Sequence, residues 1–294
     1  MSGLSTAKTA GQNGAKAARP KVGLVIGSGG LKCAASIGLL RALNRAGIQP
    51  DLLVGCSGGS LYTSMMALGR SPDESEALTV EQWADVFSKV RYRTLAKLAL
   101  PRVFGFSERI GLIDDRAMGA SIRGMFGDAT FADARIPLHL VASDLHTAET
   151  VVLTEGRIRD AVRASIALPL VLRPWPVNGR LLIDGGTSNP LPIDVAIREG
   201  CEVIIAMGFE NPPSGAISTF AGLVGRTTAI TINHLIRSTY AFYSAAHHAE
   251  IVPIMPDFGE AVTIKDAHRL PEIIRAGEVA AEEELPYLKR LLAA

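Results

Sequence analysis

The stretch Asp51-Leu52-Leu53-Val54-Gly55-Cys56-Ser57-Gly58-Gly59-Ser60 decides the fold. Leu52 to Val54 is a short apolar run of the kind that forms a strand buried on both faces. It stops at a serine set between glycines, and Ser60 to Leu68 then reads as a helix closed by Gly69. The same rhythm precedes it. Val22-Gly23-Leu24-Val25-Ile26 runs into Gly27-Ser28-Gly29-Gly30. From Cys33 to Ala46 the apolar positions Ile37, Leu40 and Leu43 recur at helical spacing before Gly47. Strand, helix, strand, helix at this pace predicts a parallel βαβ unit with helices on the sheet faces.

Beyond Ser71 the strand signal disappears until about Phe131, and the segment 71–131 is predicted to be a helical, lid-like insertion. Sheet character returns at Ile136 to Ser143, Val151 to Leu153, Leu181 to Ile183 and Val203 to Met207. Pro271 to Leu292 reads as helical, with Pro286 expected to kink or divide it. The expectation is one α/β domain over 21–294. Residues 1–20 are small, polar and mildly basic, lack the apolar stretch of a signal peptide, and read as a disordered tail.

Composition narrows the function classes. The 294 residues are 48% hydrophobic and 20% charged, as in an ordinary globular protein and unlike a disordered one. Thirty basic and twenty-nine acidic residues leave a formal charge of +1, without the global basic field of a non-specific nucleic-acid binder. No uninterrupted apolar run reaches the ~18 residues of a spanning helix. Cys33, Cys56 and Cys201 are too few and too scattered for a disulfide framework or a zinc site. An odd thiol count fits a reducing compartment, and the cytoplasm is the expected location.

Three stretches carry chemistry. In Gly55-x-Ser57-x-Gly59 a serine at a sharp strand-to-helix turn has little steric cover, and the helix N-terminus behind it favours developing negative charge. Gly27-Ser28-Gly29-Gly30-Leu31-Lys32 admits three readings. A dinucleotide fingerprint wants glycine where Lys32 stands, although Asp51 lies at a tolerable distance downstream, and a P-loop wants Gly-Lys followed by Ser or Thr. The third reading is an oxyanion hole of backbone N–H groups, favoured by the serine elbow on the adjoining strand. Asp184-Gly185-Gly186 follows the apolar run Leu181-Leu182-Ile183. It places a carboxylate at the expected carboxyl end of a parallel strand, or is a simple Asp-Gly turn.

Taken in order, Gly27-Ser28-Gly29-Gly30-Leu31-Lys32, Gly55-Cys56-Ser57-Gly58-Gly59 and Asp184-Gly185-Gly186 with Asn189-Pro190 resemble the patatin-like phospholipase family. Ala142-Ser143-Asp144-Leu145 and Ala164-Ser165-Ile166-Ala167-Leu168-Pro169 resemble its bacterial members. The resemblance runs from about Val22 to Leu292. It implies a three-layer α/β/α fold with a mainly parallel central sheet, and a lipid acyl hydrolase with a Ser-Asp dyad. Ser57 takes the nucleophile position, Asp184 the partner carboxylate, and the amides around Gly29, Gly30 and Leu31 the oxyanion hole. No cofactor or metal is implied.

The chain also departs from the family pattern, which usually has arginine at Lys32, glycine at Cys33 and often histidine at Ser36. Lys32 keeps the charge without the planar fork, and Cys33 adds a Cβ where unusual dihedrals are expected. A catalytically weak lipid-binding or regulatory module is therefore the alternative to an enzyme.

A Ser-His-Asp hydrolase would need a histidine after the acid, and His234, His247, His248 and His268 are available. His247-His248 in a helical stretch reads as a packed or solvated pair, His139 as a structural strand residue, and His146 as a turn residue near Asp144. No HExxH spacing suggests a metal. The partner expected is a lipid or acyl-ester substrate. Peripheral membrane contact is expected through 91–106, where Arg91, Arg93, Lys97 and Arg102 interleave with Tyr92, Leu95, Leu98, Leu100, Val103 and Phe104.

Overall fold

The computed structural model describes residues 19–83, 107–112, 115–210, 216–263 and 266–293, the side chains of 220 and 221 excepted. Strand β1 (Val22–Ile26) passes through a 3-10 turn (Gly30–Ala34) into α1 (Ala35–Ala46). Strand β2 (Leu52–Cys56) leads into α2 (Gly58–Ala67), as the opening stretch predicts. Among the described residues of the expected insertion are α3 (Pro72–Trp83) and α4 (Asp115–Phe126). The proposed membrane-contact stretch 91–106, and residues 1–18 of the expected tail, lie outside the described residues. Next come β3 (Leu138–Asp144), β4 (Thr150–Leu153), α5 (Ile158–Ser165), β5 (Trp175–Val177) and β6 (Arg180–Asp184). The chain closes with α6 (Ile193–Arg198), β7 (Val203–Met207), α7 (Phe220–Ala246), β8 (Glu250–Ile254) and α8 (Leu270–Ala293).

The eight described strands form one sheet in the order β5-β6-β3-β2-β1-β7-β8, with β4 paired to β3. The five strands β3, β2, β1, β7 and β8 are mutually parallel. Successive residues of β1 feed opposite faces. Val22, Leu24 and Ile26 join a core built with α1, α2, α4, α5 and α8, whereas Val25 joins a second core with α6 and Ile236 of α7. Three layers result, the central sheet lying between two helical ones.

Both ends of the strand order are proline-bearing strands that the sequence reading does not anticipate. Pro176 lies in β5 and Pro253 in β8, positions where a missing N–H is tolerated because one strand edge has no neighbour among the described residues. Pro286 does not divide the last helix, which continues unbroken to Ala293 with Leu288 fully buried. Asp51 is structural rather than a ribose ligand. Its carboxylate accepts the Val22 N–H at 2.8 Å and pairs with Arg19. A buried junction ties α4 to the body, where Arg163 of α5 donates to Asp115 at 2.6 Å and to the Arg173 carbonyl at 3.0 Å. Its guanidinium also lies 4.9 Å from the Trp175 ring centroid.

Candidate active site

Strand β3 brings the site together. Its residues 140–143 pair with β4, 138–141 with β2, and 142–144 with β6. A strand has two edges, and both β2 and β6 overlap the span taken by β4. They must therefore share the opposite edge. β2 ends at Cys56 beside Val141, and β6, arriving from the other direction, ends at Asp184 beside Ala142. Ser57 and Asp184, 127 positions apart, thus meet where two strand ends converge. The expectation of a parallel strand before Asp184 is corrected here, because β6 runs antiparallel to both β3 and β5. A carboxylate leaving a parallel strand would point along β2; the antiparallel approach aims it across the end of β2.

Ser57 holds φ 53° and ψ −127°, a left-handed backbone that costs a non-glycine residue on the order of 1–3 kcal/mol. The strain turns Oγ out of the strand line and toward Asp184, to which it donates a hydrogen bond of 2.6 Å. The other Asp184 oxygen accepts the Gly186 N–H at 2.7 Å. Asp184 is 3% exposed, and that desolvation raises its pKa from 3.8 to about 6 against the two hydrogen bonds that lower it. An aspartate so placed is a better-matched proton acceptor than a free one.

Opposite the elbow lies the 3-10 turn. The Gly27 and Ser28 amides are spent on the Met207 and Pro190 carbonyls, and the Lys32 amide on Gly29 O. Gly29, Gly30 and Leu31 stand between them, at the start of the turn, where amides precede the first i→i+3 bond. Gly30 carries the left-handed φ of 58°. A Cβ on Gly58 would lie 2.5 Å from Gly30 O, so the first residue of α2 and this turn touch backbone to backbone. That contact sets the candidate oxyanion amides beside Ser57. Of the remaining motif glycines, Gly55 is the penultimate residue of β2, Gly59 lies in the first turn of α2, and Gly185 and Gly186 form the turn after Asp184.

The departures at Lys32 and Cys33 are absorbed. Lys32 is 3% exposed, its ammonium donates to the Glu210 carbonyl at 2.8 Å, and burial lowers its pKa to about 8. Cys33 has no left-handed backbone, contrary to expectation. Its thiol donates to Gly27 O at 3.3 Å, and burial pushes its pKa up, which marks an inert thiol. Ser36 donates to Cys33 O at 2.7 Å.

All six histidines are among the described residues, and none is hydrogen-bonded to Ser57 or Asp184. His139 lies near Glu199, and His146 pairs with Glu108. His247 caps the end of α7 rather than lying within it, and its Nδ1 accepts the Ala249 N–H. Among the described residues no cluster of His, Cys, Asp and Glu is placed to hold a metal. One residue escaped the sequence reading. Ser165 accepts the Ser57 N–H at 2.9 Å and donates to Val141 O at 2.6 Å, fastening the strained elbow to β3. Its only sequence signal was its place in Ala164-Ser165-Ile166-Ala167-Leu168-Pro169.

The model of the family described as Patatin-like phospholipase matches residues 24–197. An uncharacterized NTE family protein of Mycobacterium tuberculosis is 29% identical over 227 residues, 77% of this chain and 59% of that protein. The human patatin-like phospholipase domain-containing protein 6 is 31% identical over 201 residues, 68% of this chain and 14% of that protein. Among solved structures, VipD from Legionella pneumophila gives a TM-score of 0.50 at 12% identity, covering 92% of this chain and 67% of its own. Human GIVD cytosolic phospholipase A2, in complex with methyl gamma-linolenyl fluorophosphonate, gives 0.50 at 12%, covering 93% and 59%. At such identities the likeness is one of fold.

Proposed function

The chain belongs to the patatin-like phospholipase family, and from that premise we propose that it is a serine lipid acyl hydrolase cleaving carboxylic esters through Ser57 and Asp184. The observation that carries this reading is the 2.6 Å hydrogen bond from Ser57 Oγ to a buried Asp184 at a strained strand-to-helix elbow.

Asp184 orients Ser57 Oγ and takes its proton as the oxygen attacks the ester carbonyl. The amides of Gly29, Gly30 and Leu31, with the N-terminus of α2, meet the negative charge on the tetrahedral intermediate. Donors of this kind are each worth about 10²–10³ in rate. Collapse expels the alcohol, which receives the proton from Asp184 and leaves an acyl-serine. Water, deprotonated by the same carboxylate, then releases the acid and restores Ser57. Neither half-reaction requires a cofactor. The substrate is a lipid or related acyl ester, met at a membrane surface by a peripherally associated cytoplasmic protein.

Hydrolysis of chromogenic esters of increasing acyl length tests the proposal. Wild type should turn them over and folded Ser57→Ala should not. Equal turnover by both would remove Ser57 as the nucleophile, and no turnover by either would leave the lipid-binding alternative.

A further inference from the structure

The turn that carries Gly29, Gly30 and Leu31 begins with a side chain that the steps above leave without a task. Ser28 is 9% exposed, and its N–H is spent on the Pro190 carbonyl, so the backbone holds the turn without help from the hydroxyl. Among the described residues that hydroxyl makes no hydrogen bond, and its oxygen is not sealed into the core. A polar group so deeply set and without a protein partner calls for an explanation. Gly186 locates it. A Cβ on that glycine would lie 2.6 Å from Ser28 Oγ and 3.1 Å from Asp184 Oδ1. The two oxygens therefore border one small space beside Gly186 without bonding to each other. Asp184 Oδ1 accepts the Gly186 N–H instead, and Oδ2 the Ser57 hydroxyl.

We propose that Ser28 is a further catalytic residue, whose Oγ holds, together with Asp184, the water that hydrolyses the acyl-serine. Oxygens this close and unbonded are bridged by a single water. The assignment rests on the hydrolase reading above and adds the group that places its second nucleophile. The Ser28 hydroxyl lies on the acid's side of the site, next to the carboxylate that must take the proton.

Once Ser57 Oγ is acylated it no longer donates to Asp184, and the carboxylate can accept from water. That water donates one hydrogen to Asp184 and the other to Ser28 Oγ, which accepts as readily as it donates. A lone pair is left for the acyl carbon. The water oxygen bonds to that carbon while one proton passes to Asp184. On collapse the bond from the carbon to Ser57 Oγ breaks, the proton returns from Asp184 to that oxygen, and the carboxylic acid leaves. The first half-reaction uses no such water, so loss of the Ser28 hydroxyl should slow deacylation alone.

Ser28→Ala and Ser28→Gly test this on the p-nitrophenyl ester of the acyl length that wild type turns over best, a substrate whose good leaving group makes acylation fast. In both variants kcat and KM should fall together, by about tenfold or more, because the water is no longer placed. Their ratio kcat/KM, which reports acylation, should keep its wild-type value and so show an intact fold. The burst of p-nitrophenol should approach one equivalent, and protein quenched in the steady state should carry the acyl mass to a greater extent than wild type. Unchanged kcat and no added acyl-enzyme would reduce the hydroxyl to a solvated one. A fall in kcat/KM as large as that in kcat, in both variants, would make it an oxyanion donor or a structural group. Either result overturns the assignment. If wild type neither turns over the ester nor carries an acyl group, the hydrolase reading itself is overturned.

Discussion

With 3% exposure and a pKa of about 6, Asp184 is ionised at neutral pH against the pull of its surroundings. The unfolded carboxyl titrates near 3.8, so the native state holds more protons between those values, and stability falls as pH rises through that window. Asp184→Asn should therefore raise the unfolding free energy at pH 7.5, read by denaturant unfolding, by an amount on the order of 2 kcal/mol that shrinks toward pH 4. The same variant should lose about 10²–10⁴ in kcat, and wild-type kcat/KM should rise with pH through an apparent pKa near 6. Ser165→Ala would leave the Ser57 amide and the Val141 carbonyl unpaired in a buried place, at about 1–3 kcal/mol. Its expected signature is a kcat loss of about tenfold or more with KM retained, partly rescued by Ser165→Thr, since misplacing an attacking atom harms turnover before binding. Ser57 and Asp184 were legible in the sequence because flanking glycines give each a local signature. Ser165 was not, for its two partners come only from the folded chain, and nothing in a lone serine declares them. The strain expected at Cys33 was assigned to the wrong position, because Gly30 already supplies the left-handed residue.

At the level of elements, the apolar runs before glycine placed β1, β2 and β7 well. Periodicity failed where proline interrupts it, and β5 and β8 are strands that proline confines to the ends of the sheet's strand order. The antiparallel course of β6 had no local sign either, since direction is decided by the connection through α5 and β5. One close helix crossing was equally silent. A Cβ on Gly277 of α8 would lie 1.9 Å from Ala35 O, and one on Gly38 of α1 would lie 2.0 Å from Ile274 O. Glycines inside helices read in sequence as a loss of propensity; here they let two backbones touch. Gly277→Val should accordingly cost about 2–3 kcal/mol in denaturant unfolding despite valine's smaller backbone entropy loss, and the helices should separate rather than the core repack. A neutral result would mean that α8 can slide along α1.

For the molecule as a whole, the α/β class and the three layers followed from the strand-helix rhythm, while the attachment of α4 did not. Beside the apolar packing of Met118, Ile122, Met125 and Phe126, that attachment uses Arg163, whose side chain is 3% exposed and whose Nε and Nη1 have no hydrogen-bond partner. Asp115→Ala leaves this cation buried without its counter-charge and should destabilise by about 3–5 kcal/mol. Adding Arg163→Met should recover most of the loss, as measured by thermal unfolding of both variants. The meeting of β2 and β6 on one edge of β3 has a temporal side. Helices can assemble from near neighbours in the chain, whereas the Ser57–Asp184 hydrogen bond exists only once two strand ends 127 residues apart have both found their register on β3. A slip of β6 by one residue would turn Asp184 to the other face of the sheet. During refolding, ester turnover should therefore return later than helical ellipticity, and catalytic competence would act as a clock for the last long-range pairing rather than for collapse.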